Sequence, residues 1–521
     1  MSMLEFWFKQ SLIYRMFFAI VEIVNHSFFA RAIEFIGRVL INSKIASCLR
    51  FVASYPYKPR NSMFIRAAEY FNEKSMRFRD RMQTYLKFSW IYRVLSNSWW
   101  FHVISILLVP AVAFYAVIDE AGRAVFKDIP LFGFWDEAYL IVCAIYVFLN
   151  WLLFKRKPLN ITPVSAPMFI LISVTFYLFL NNSLFSHIGF DGFRMIAQYV
   201  LWFFILNSFF DDDNKVYLTL RLLVYTGGFM GIHGLYQYIK KVPTPVHWTD
   251  AAEGTTATRV FSIVESPNIL GSIFTLIIPI CLALVLQRRR NFLDRAVYFM
   301  LFGAMGLSLI LTLSRGAWLG AAVAMFVFCL AVNPRWLLIL FAGGSSVLLI
   351  PSVLNRIQYL LSPQYLISSL TGGRLMRYQI GIDMFRRNFW FGVGPGHFGG
   401  AVAMNNRDLI PDTFYMDNYW LKTAVEMGFL GLAAYGLLMI SLILWSIRSI
   451  KYNEDYDIKL VISGGFAGLC GIITHNLVEN VFEVPYMVVY FWTVAAAVLY
   501  FGLRRRNNEG IMKEEMKRSN A

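Results

Sequence analysis

The chain has 521 residues, of which 58% are hydrophobic and only 15% are charged. Soluble domains usually carry about 25% charged residues, so this composition excludes a set of ordinary water-soluble domains. The apolar runs are long and continuous, whereas the strands of a membrane β-barrel would alternate apolar and polar residues. Helices are then the remaining way to satisfy the backbone in lipid, and the sequence predicts an all-α, polytopic membrane helical bundle.

The basic residues are concentrated near the N-terminus. The chain has 48 Lys and Arg against 32 Asp and Glu, a net charge of +16, and residues 1–100 hold 15 of the basic and 6 of the acidic residues. Ahead of many membrane spans, this excess favours contact with anionic lipid headgroups, and no nucleic-acid partner is predicted. Arg15, Glu22 and His26 share one helical sector, and Arg31, Glu34 and Arg38 share another, which predicts two amphipathic helices. We therefore assign residues 1–97 to a cytoplasmic or interfacial helical extension.

Twelve apolar runs follow, which predict about 12 transmembrane helices. The runs are 99–118, 134–154, 164–180, 190–210, 216–239, 268–287, 293–313, 316–332, 335–351, 429–447, 460–478 and 484–503. Counting spans places three basic triplets on one face, and the positive-inside rule makes that face cytoplasmic. The triplets are residues 155–157, 288–290 and 504–506. Residues 98–503 then form the transmembrane domain and residues 504–521 a cytoplasmic basic tail, with both termini in the cytoplasm.

The opposite face should carry one large extracytoplasmic loop, residues 352–415. It contains Arg356, Arg374, Arg377, Arg386, Arg387 and Arg407 against Asp383, Asp408 and Asp412. A cationic loop on the outer side is not explained by the positive-inside rule, and arginine pairs well with phosphate oxygens. An alternative is that these arginines only cap helices or reach to the lipid surface.

Four short patterns fall on this outer face, in a fixed order along the chain. The first runs from Arg259 to Pro267-Asn268, and the second is Ser314-Arg315-Gly316. The third has two parts, Gly372-Gly373-Arg374 and the later segment 391–398 FGVGPGHF. The fourth is Asp417-Asn418, then nine residues, then Gly428-Phe-Leu-Gly431. Arg259, Arg315 and Arg374 have no acidic residue within four positions. The sequence therefore offers three arginines without local partners.

In this order the patterns resemble the O-antigen ligase and polymerase family (WaaL and Wzy types), over roughly residues 220–500. Family ligases have His where this chain has Asp417, and that departure favours the polymerase branch. The resemblance implies a GT-C-like fold and a glycosyltransferase that acts on undecaprenyl-diphosphate-linked glycans outside the bacterial cytoplasmic membrane. It implies polymerisation of oligosaccharide repeat units for O-antigen, capsule or exopolysaccharide.

Glycosyl transfer from a lipid diphosphate needs a base for the acceptor hydroxyl and positive charge for the departing diphosphate. From the resemblance, Asp417 is the candidate base, and Arg259, Arg315 and Arg374 are the candidate clamp. Further candidates for substrate binding are Arg377, Asn418, His475 and Asn268. No metal-binding pair of acids has an outer position, so we expect neither metal nor cofactor.

Two alternatives remain from the sequence. A ligase of the same fold would move the glycan to a lipid or protein acceptor. A transporter or flippase for polysaccharide or lipid-linked oligosaccharide would also have about twelve spans, although the chain shows no repeated six-span halves. Predicted partners are undecaprenyl-diphosphate-linked glycans, membrane lipids, and other polysaccharide-assembly proteins such as a flippase or a chain-length regulator.

Overall fold

A computed structural model describes residue 47 and residues 62–96, 98–126, 130–154, 160–245 and 258–519. Most of the predicted extension, namely residues 1–46, 48–61 and 97, lies outside the described residues, and so does the basic triplet 155–157. The backbone of the predicted basic tail is described as far as residue 519.

The described residues form helices and connecting segments, with no strand among them, and the predicted all-α class is confirmed. The helices are α1 Met63–Leu86, α2 Trp90–Leu95, α3 Ser98–Ala113, α4 Tyr115–Val125, α5 Trp135–Phe154, α6 Ser165–Asn182, α7 Ser186–Phe209, α8 Asp213–Ile239, α9 Pro267–Leu286, α10 Phe292–Leu311, α11 Arg315–Val332, α12 Leu337–Val347, α13 Pro351–Leu360, α14 Pro363–Thr371, α15 Arg374–Arg387, α16 Ala401–Asn405, α17 Tyr419–Tyr452, α18 Tyr456–His475 and α19 Pro485–Ser519.

By length and apolar composition, nine helices of the described residues could cross a membrane, or up to eleven if each of two bent helix pairs is one span. The predicted run 216–239 does form a helix, the 27-residue α8, but it is not among those nine or eleven. Its 27 residues correspond to about 40 Å, which is long enough to cross the hydrocarbon of a bilayer. The predicted number of twelve therefore depends on whether α8 is counted as a span.

Sharp bends occur within the predicted run 99–118 and at the end of the predicted run 335–351. Helices α3 and α4 meet at 77°, and α12 and α13 meet at 91°. At the first bend, the Tyr490 hydroxyl donates to the Ala113 carbonyl and accepts from the Ala116 N–H, each at 3.0 Å. A distant tyrosine thus satisfies the backbone groups that the bend releases. At the second bend, Pro351 begins the new helix, because proline is favoured in a first helical turn.

The predicted loop 352–415 is largely helical. Helices α13, α14 and α15 follow one another with short turns, and α16 lies near its end. Ser362 caps α14 by accepting from the Tyr365 N–H at 3.2 Å. Local capping of this kind gives the segment its own secondary structure, which the charge pattern alone did not reveal.

The bundle has two chemically different ends. At one end, the backbone N–H groups of Arg288 and Arg289 donate to the Asp457 carboxylate at 2.8 and 3.1 Å. At the other end lie the first turn of α9, the last turn of α18 and the segment that contains Asp417. We call these the Arg288 end and the Asp417 end. Helices α9, α18 and α19 form the centre of the bundle, since 83%, 72% and 83% of their most apolar stretches are buried.

The third and fourth sequence patterns contact each other at a break in helix α17. Gly428 has φ 61° and ψ −164°, which glycine adopts but other residues avoid. The N–H groups of residues after the break donate to the loop, Phe429 to the Phe389 carbonyl at 2.6 Å and Leu430 to the Trp390 carbonyl at 3.2 Å. Gly392 approaches so closely that a Cβ there would meet the Glu426 backbone. The two glycine patterns therefore pack directly on each other.

Gly428→Ala should destabilise the protein, because alanine at this φ and ψ costs about 1–3 kcal/mol and its Cβ would also meet the backbone of Trp390 and Phe391. We expect a melting temperature lower by several degrees in detergent-purified protein. Gly436→Ala in the same helix is the matched control, since nothing lies within 4 Å of its added Cβ. Equal melting temperatures for the two variants would contradict this account of the break.

The two ends should face opposite sides of the membrane. Asp412 and Lys451 are exposed near the Asp417 end and the Arg288 end, respectively. With Cys48 replaced by serine, a membrane-impermeant maleimide should label Asp412→Cys in intact spheroplasts, and Lys451→Cys only after permeabilisation. Labelling of both cysteines from the same side would remove the basis for an outer site.

Candidate functional site

The first sequence pattern places an arginine over the start of α9. Ser266 caps this helix and Pro267 occupies its first turn, so Asn268 points from the helix end. The Arg259 Nη2 donates to Asn268 Oδ1 at 3.2 Å, and its Nε donates to the Thr312 carbonyl at 3.1 Å. Arg259 is therefore fixed between the start of α9 and the turn that precedes α11.

Glu479 is the central residue that sequence reasoning missed. Its Oε2 accepts from Asn268 Nδ2 at 2.7 Å and pairs with Arg374 Nη2 at 3.1 Å. Only 5% of Glu479 is exposed. Through these two contacts it joins Arg374, at the start of α15, to the Asn268 and Arg259 pair.

Asp417 completes the connection on the other side of Arg374. Its Oδ2 lies 2.7 Å from Arg377 Nη2 and 3.7 Å from Arg374 Nε. The Tyr378 hydroxyl donates to the Asp417 carbonyl at 2.9 Å, which holds the segment against α15. We call the six residues Arg259, Asn268, Arg374, Arg377, Asp417 and Glu479 the arginine–carboxylate cluster.

The cluster combines three guanidiniums with two carboxylates in a largely buried place. Burial by itself would lower the pKa of Arg374, but the Glu479 and Asp417 carboxylates raise it above the ordinary value. Burial also raises the pKa of Tyr378 to about 12. Arg374 and Tyr378 therefore stay protonated at neutral pH, and both can donate hydrogen bonds.

Arg315, the first residue of α11, lies beside the cluster. Its guanidinium is 5.7 Å from the ring centre of Tyr359 and 5.2 Å from that of Tyr365. These rings belong to α13 and α14, and Tyr365 is also close enough to affect the pKa of Arg374. Cation–π contacts with the two rings help to position the Arg315 guanidinium.

Two of the predicted binding residues, Asn418 and His475, lie outside the arginine–carboxylate cluster and make structural contacts. Asn418 caps α17, because its Oδ1 accepts from the Leu421 N–H at 2.9 Å. His475 is fully buried, with Nδ1 3.0 Å from Ser272 Oγ. The Ser272 hydroxyl donates to the Asn268 carbonyl. We therefore assign a proton to His475 Nδ1, which donates to Ser272 Oγ. Its Nε2 then faces Gly316 and has no hydrogen-bond partner among the described residues.

A second ionic group lies nearby on α17 and before α19. Lys422 Nζ is 3.0 Å from Glu426 Oε2 and 2.8 Å from Glu483 Oε1. The remaining carboxylate oxygens accept from the loop backbone, Glu426 from the Phe398 N–H and Glu483 from the Ala401 N–H. This Lys422 group holds the 398–401 segment in place. Sequence reasoning missed its bridging role.

Residues 392–396 form an irregular turn, and His397 holds it in place. His397 Nδ1 donates to the Pro395 carbonyl, and Nε2 accepts from the Phe185 N–H at 3.2 Å. Burial lowers the pKa of His397, so the neutral form that can accept this bond is favoured. Among the residues that the structure describes, no group of three or more His, Cys, Asp or Glu is arranged to hold a metal ion.

Residues 299–436 match the family model described as O-antigen ligase. The predicted family resemblance is confirmed. A comparison with curated proteins gives no match. The matched O-antigen ligase segment includes Arg315, Arg374, Arg377 and Asp417. The match supports an O-antigen ligase or polymerase type of function, and thus a glycosyltransferase-like enzyme. It also agrees with a multi-pass membrane protein.

The arginine–carboxylate cluster extends beyond the segment that matches the O-antigen ligase family model. Arg259 and Asn268 precede the match, and Glu479 follows it. These residues lie at or next to the start of α9 and the end of α18, which meet at the same end of the bundle. The site therefore depends on the whole bundle and not on the matched residues alone.

Proposed function

We propose that this protein is a polymerase of undecaprenyl-diphosphate-linked oligosaccharide repeat units in the biosynthesis of a surface polysaccharide. The arginine–carboxylate cluster is the observation that carries the proposal, because arginines from separate parts of the chain converge beside two carboxylates. Glycosyl transfer would be metal-independent and would take place on the extracytoplasmic side of the cytoplasmic membrane.

In this proposal, guanidiniums bind the diphosphate of the donor. Arg374 and Arg377 are partly open, with 35% and 28% of their side chains exposed, so an anion can reach them. Planar guanidinium groups bind phosphate oxygens with paired hydrogen bonds. Arg259 and Arg315 would add positive charge on the other sides of the site. The diphosphate would compete with Asp417 and Glu479 for the same N–H donors.

A carboxylate would take the proton from the acceptor hydroxyl. As the acceptor oxygen bonds to the anomeric carbon of the donor, the bond from that carbon to the phosphate oxygen breaks. The electron pair of this bond leaves with undecaprenyl diphosphate, and the acceptor proton moves to the carboxylate. We propose Asp417 as this base, since it follows the cationic segment and pairs with two arginines that the diphosphate would engage.

A ligase is the second candidate, because the matching family model is described as O-antigen ligase. Mass analysis of lipid-linked glycans in a deletion strain separates the two. Single repeat units would support the polymerase, and full-length chains without an acceptor would support the ligase. Accumulation of repeat units inside the cell would contradict both and indicate a flippase.

Asp417→Asn should reduce polymerisation by about 10²–10⁴-fold, the usual loss when a general base is removed. Purified lipid-linked repeats in proteoliposomes provide the assay. Glu479→Gln is the matched comparison, since the amide oxygen can still accept from Asn268 and Arg374, and we expect a loss of about tenfold for a positioning role. A larger loss for Glu479→Gln than for Asp417→Asn would transfer the role of base to Glu479.

Arg259→Lys, Arg315→Lys and Arg374→Lys should each reduce activity by tenfold or more, about 1.4 kcal/mol, because lysine keeps the charge but loses the planar pair of donors. The control is Arg386→Lys, an exposed residue that pairs with Asp383 at 3.5 Å outside the cluster. Unchanged glycan length and yield with all three arginines replaced by alanine would exclude the clamp.

A further inference from the structure

Helix α1 packs on the Arg288 end of the bundle with one face. Gln83 Nε2 donates to the Leu152 carbonyl at 2.6 Å, in the last turn of α5. Ile65 and Ala68 are buried on the same side of α1. The helix therefore lies at the level where a candidate membrane span ends, on the opposite end from the arginine–carboxylate cluster.

A second sector of α1 exposes large apolar side chains. At 100° per residue, Phe71, Phe78 and Met82 fall within about 40° of one another. Their exposed fractions are 52%, 57% and 37%. Soluble surfaces rarely expose such a row, and rows of this kind mark contacts with proteins or membranes.

Three basic residues of α1 form the next sector around the helix. Lys74, Arg77 and Arg81 are all exposed and lie within about 60° of one another. The acidic residues Glu73 and Asp80 lie beyond them, on the side away from the aromatic row. Apolar, basic and acidic sectors thus follow in order, which is the arrangement of a helix lying in a lipid interface.

We propose that α1 binds the surface of a leaflet that contains anionic phospholipid. The row of Phe71, Phe78 and Met82 would enter the headgroup and acyl boundary, while the basic sector pairs with lipid phosphates. Charge complementarity supports lipid as the occupant. The neighbouring surface supports it too, because Phe148, one turn before Leu152 in α5, is 53% exposed. This inference does not depend on the proposed enzymatic function.

Photo-crosslinking of the full chain in lipid nanodiscs tests the proposal. A benzophenone amino acid replaces Phe78 or, as the matched control in the acidic sector, Glu73. In discs with about 30% phosphatidylglycerol in phosphatidylcholine, position 78 should form phospholipid adducts at least tenfold more often than position 73. Equal yields at the two positions would overturn the proposed orientation, and crosslinks mainly to protein would make α1 a docking surface for another chain.

A charge reversal tests the anionic part of the proposal. Lys74→Glu, Arg77→Glu and Arg81→Glu together should reduce the adduct yield at position 78 at least threefold in phosphatidylglycerol discs, but not in discs of phosphatidylcholine alone. The control reverses three exposed arginines at the Asp417 end, Arg386, Arg387 and Arg407, and should leave the yield unchanged. Equal yields with and without phosphatidylglycerol in the unreversed protein would refute selection of anionic lipid.

Discussion

The guanidinium of Arg374 lies between two carboxylates that come from distant parts of the chain. Asp417 precedes α17 and Glu479 follows α18, and each pairs with Arg374. Glu479 is only 5% exposed, and a buried carboxylate needs a partner because an uncompensated buried charge is strongly destabilising. The start of α15, the start of α17 and the end of α18 must therefore meet at one place. The cluster forms where helices end, since helix termini bring charged residues together outside the hydrocarbon.

The Lys422 group also combines opposite charges, but its side chains are less accessible. The exposed side-chain fractions are 12% for Lys422, 3% for Glu426 and 6% for Glu483, against 35% for Arg374. The carboxylates of the Lys422 group also accept backbone N–H groups of the 398–401 segment, so their hydrogen bonds are already used. Of these two groups, the arginine–carboxylate cluster is the one whose cations an incoming anion can reach. One ionic group thus holds the loop, and the other remains available for exchange of partners.

The sequence predicts the helices well because apolar runs determine them, and the order of the four patterns leads to Arg374 and Asp417. Glu479 could not be found in this way, since it is 105 residues from Arg374 and belongs to none of the four patterns. The break at Gly428 was also hidden, because the residues that satisfy its backbone lie in another segment. The position of Asn418 in the fourth pattern predicts substrate binding, and the structure shows that its side chain caps α17. Glu479 makes contacts with residues far away in the chain, whereas Asn418 contacts its own helix. Local sequence spacing does not distinguish polar residues of these two kinds.

Charge balance explains how such a site could work without a metal ion. Three guanidiniums and two carboxylates leave the cluster with one net positive charge. A lipid diphosphate joined to a sugar carries two negative charges, which the cluster would partly balance. During transfer, the departing diphosphate gains one negative charge while the carboxylate that accepts the proton loses one. The total charge then stays constant, and guanidinium donors can move from carboxylate to phosphate as the bond breaks. Preorganised donors that follow developing charge are the usual source of electrostatic catalysis, and here the carboxylates would keep those donors oriented until the diphosphate needs them.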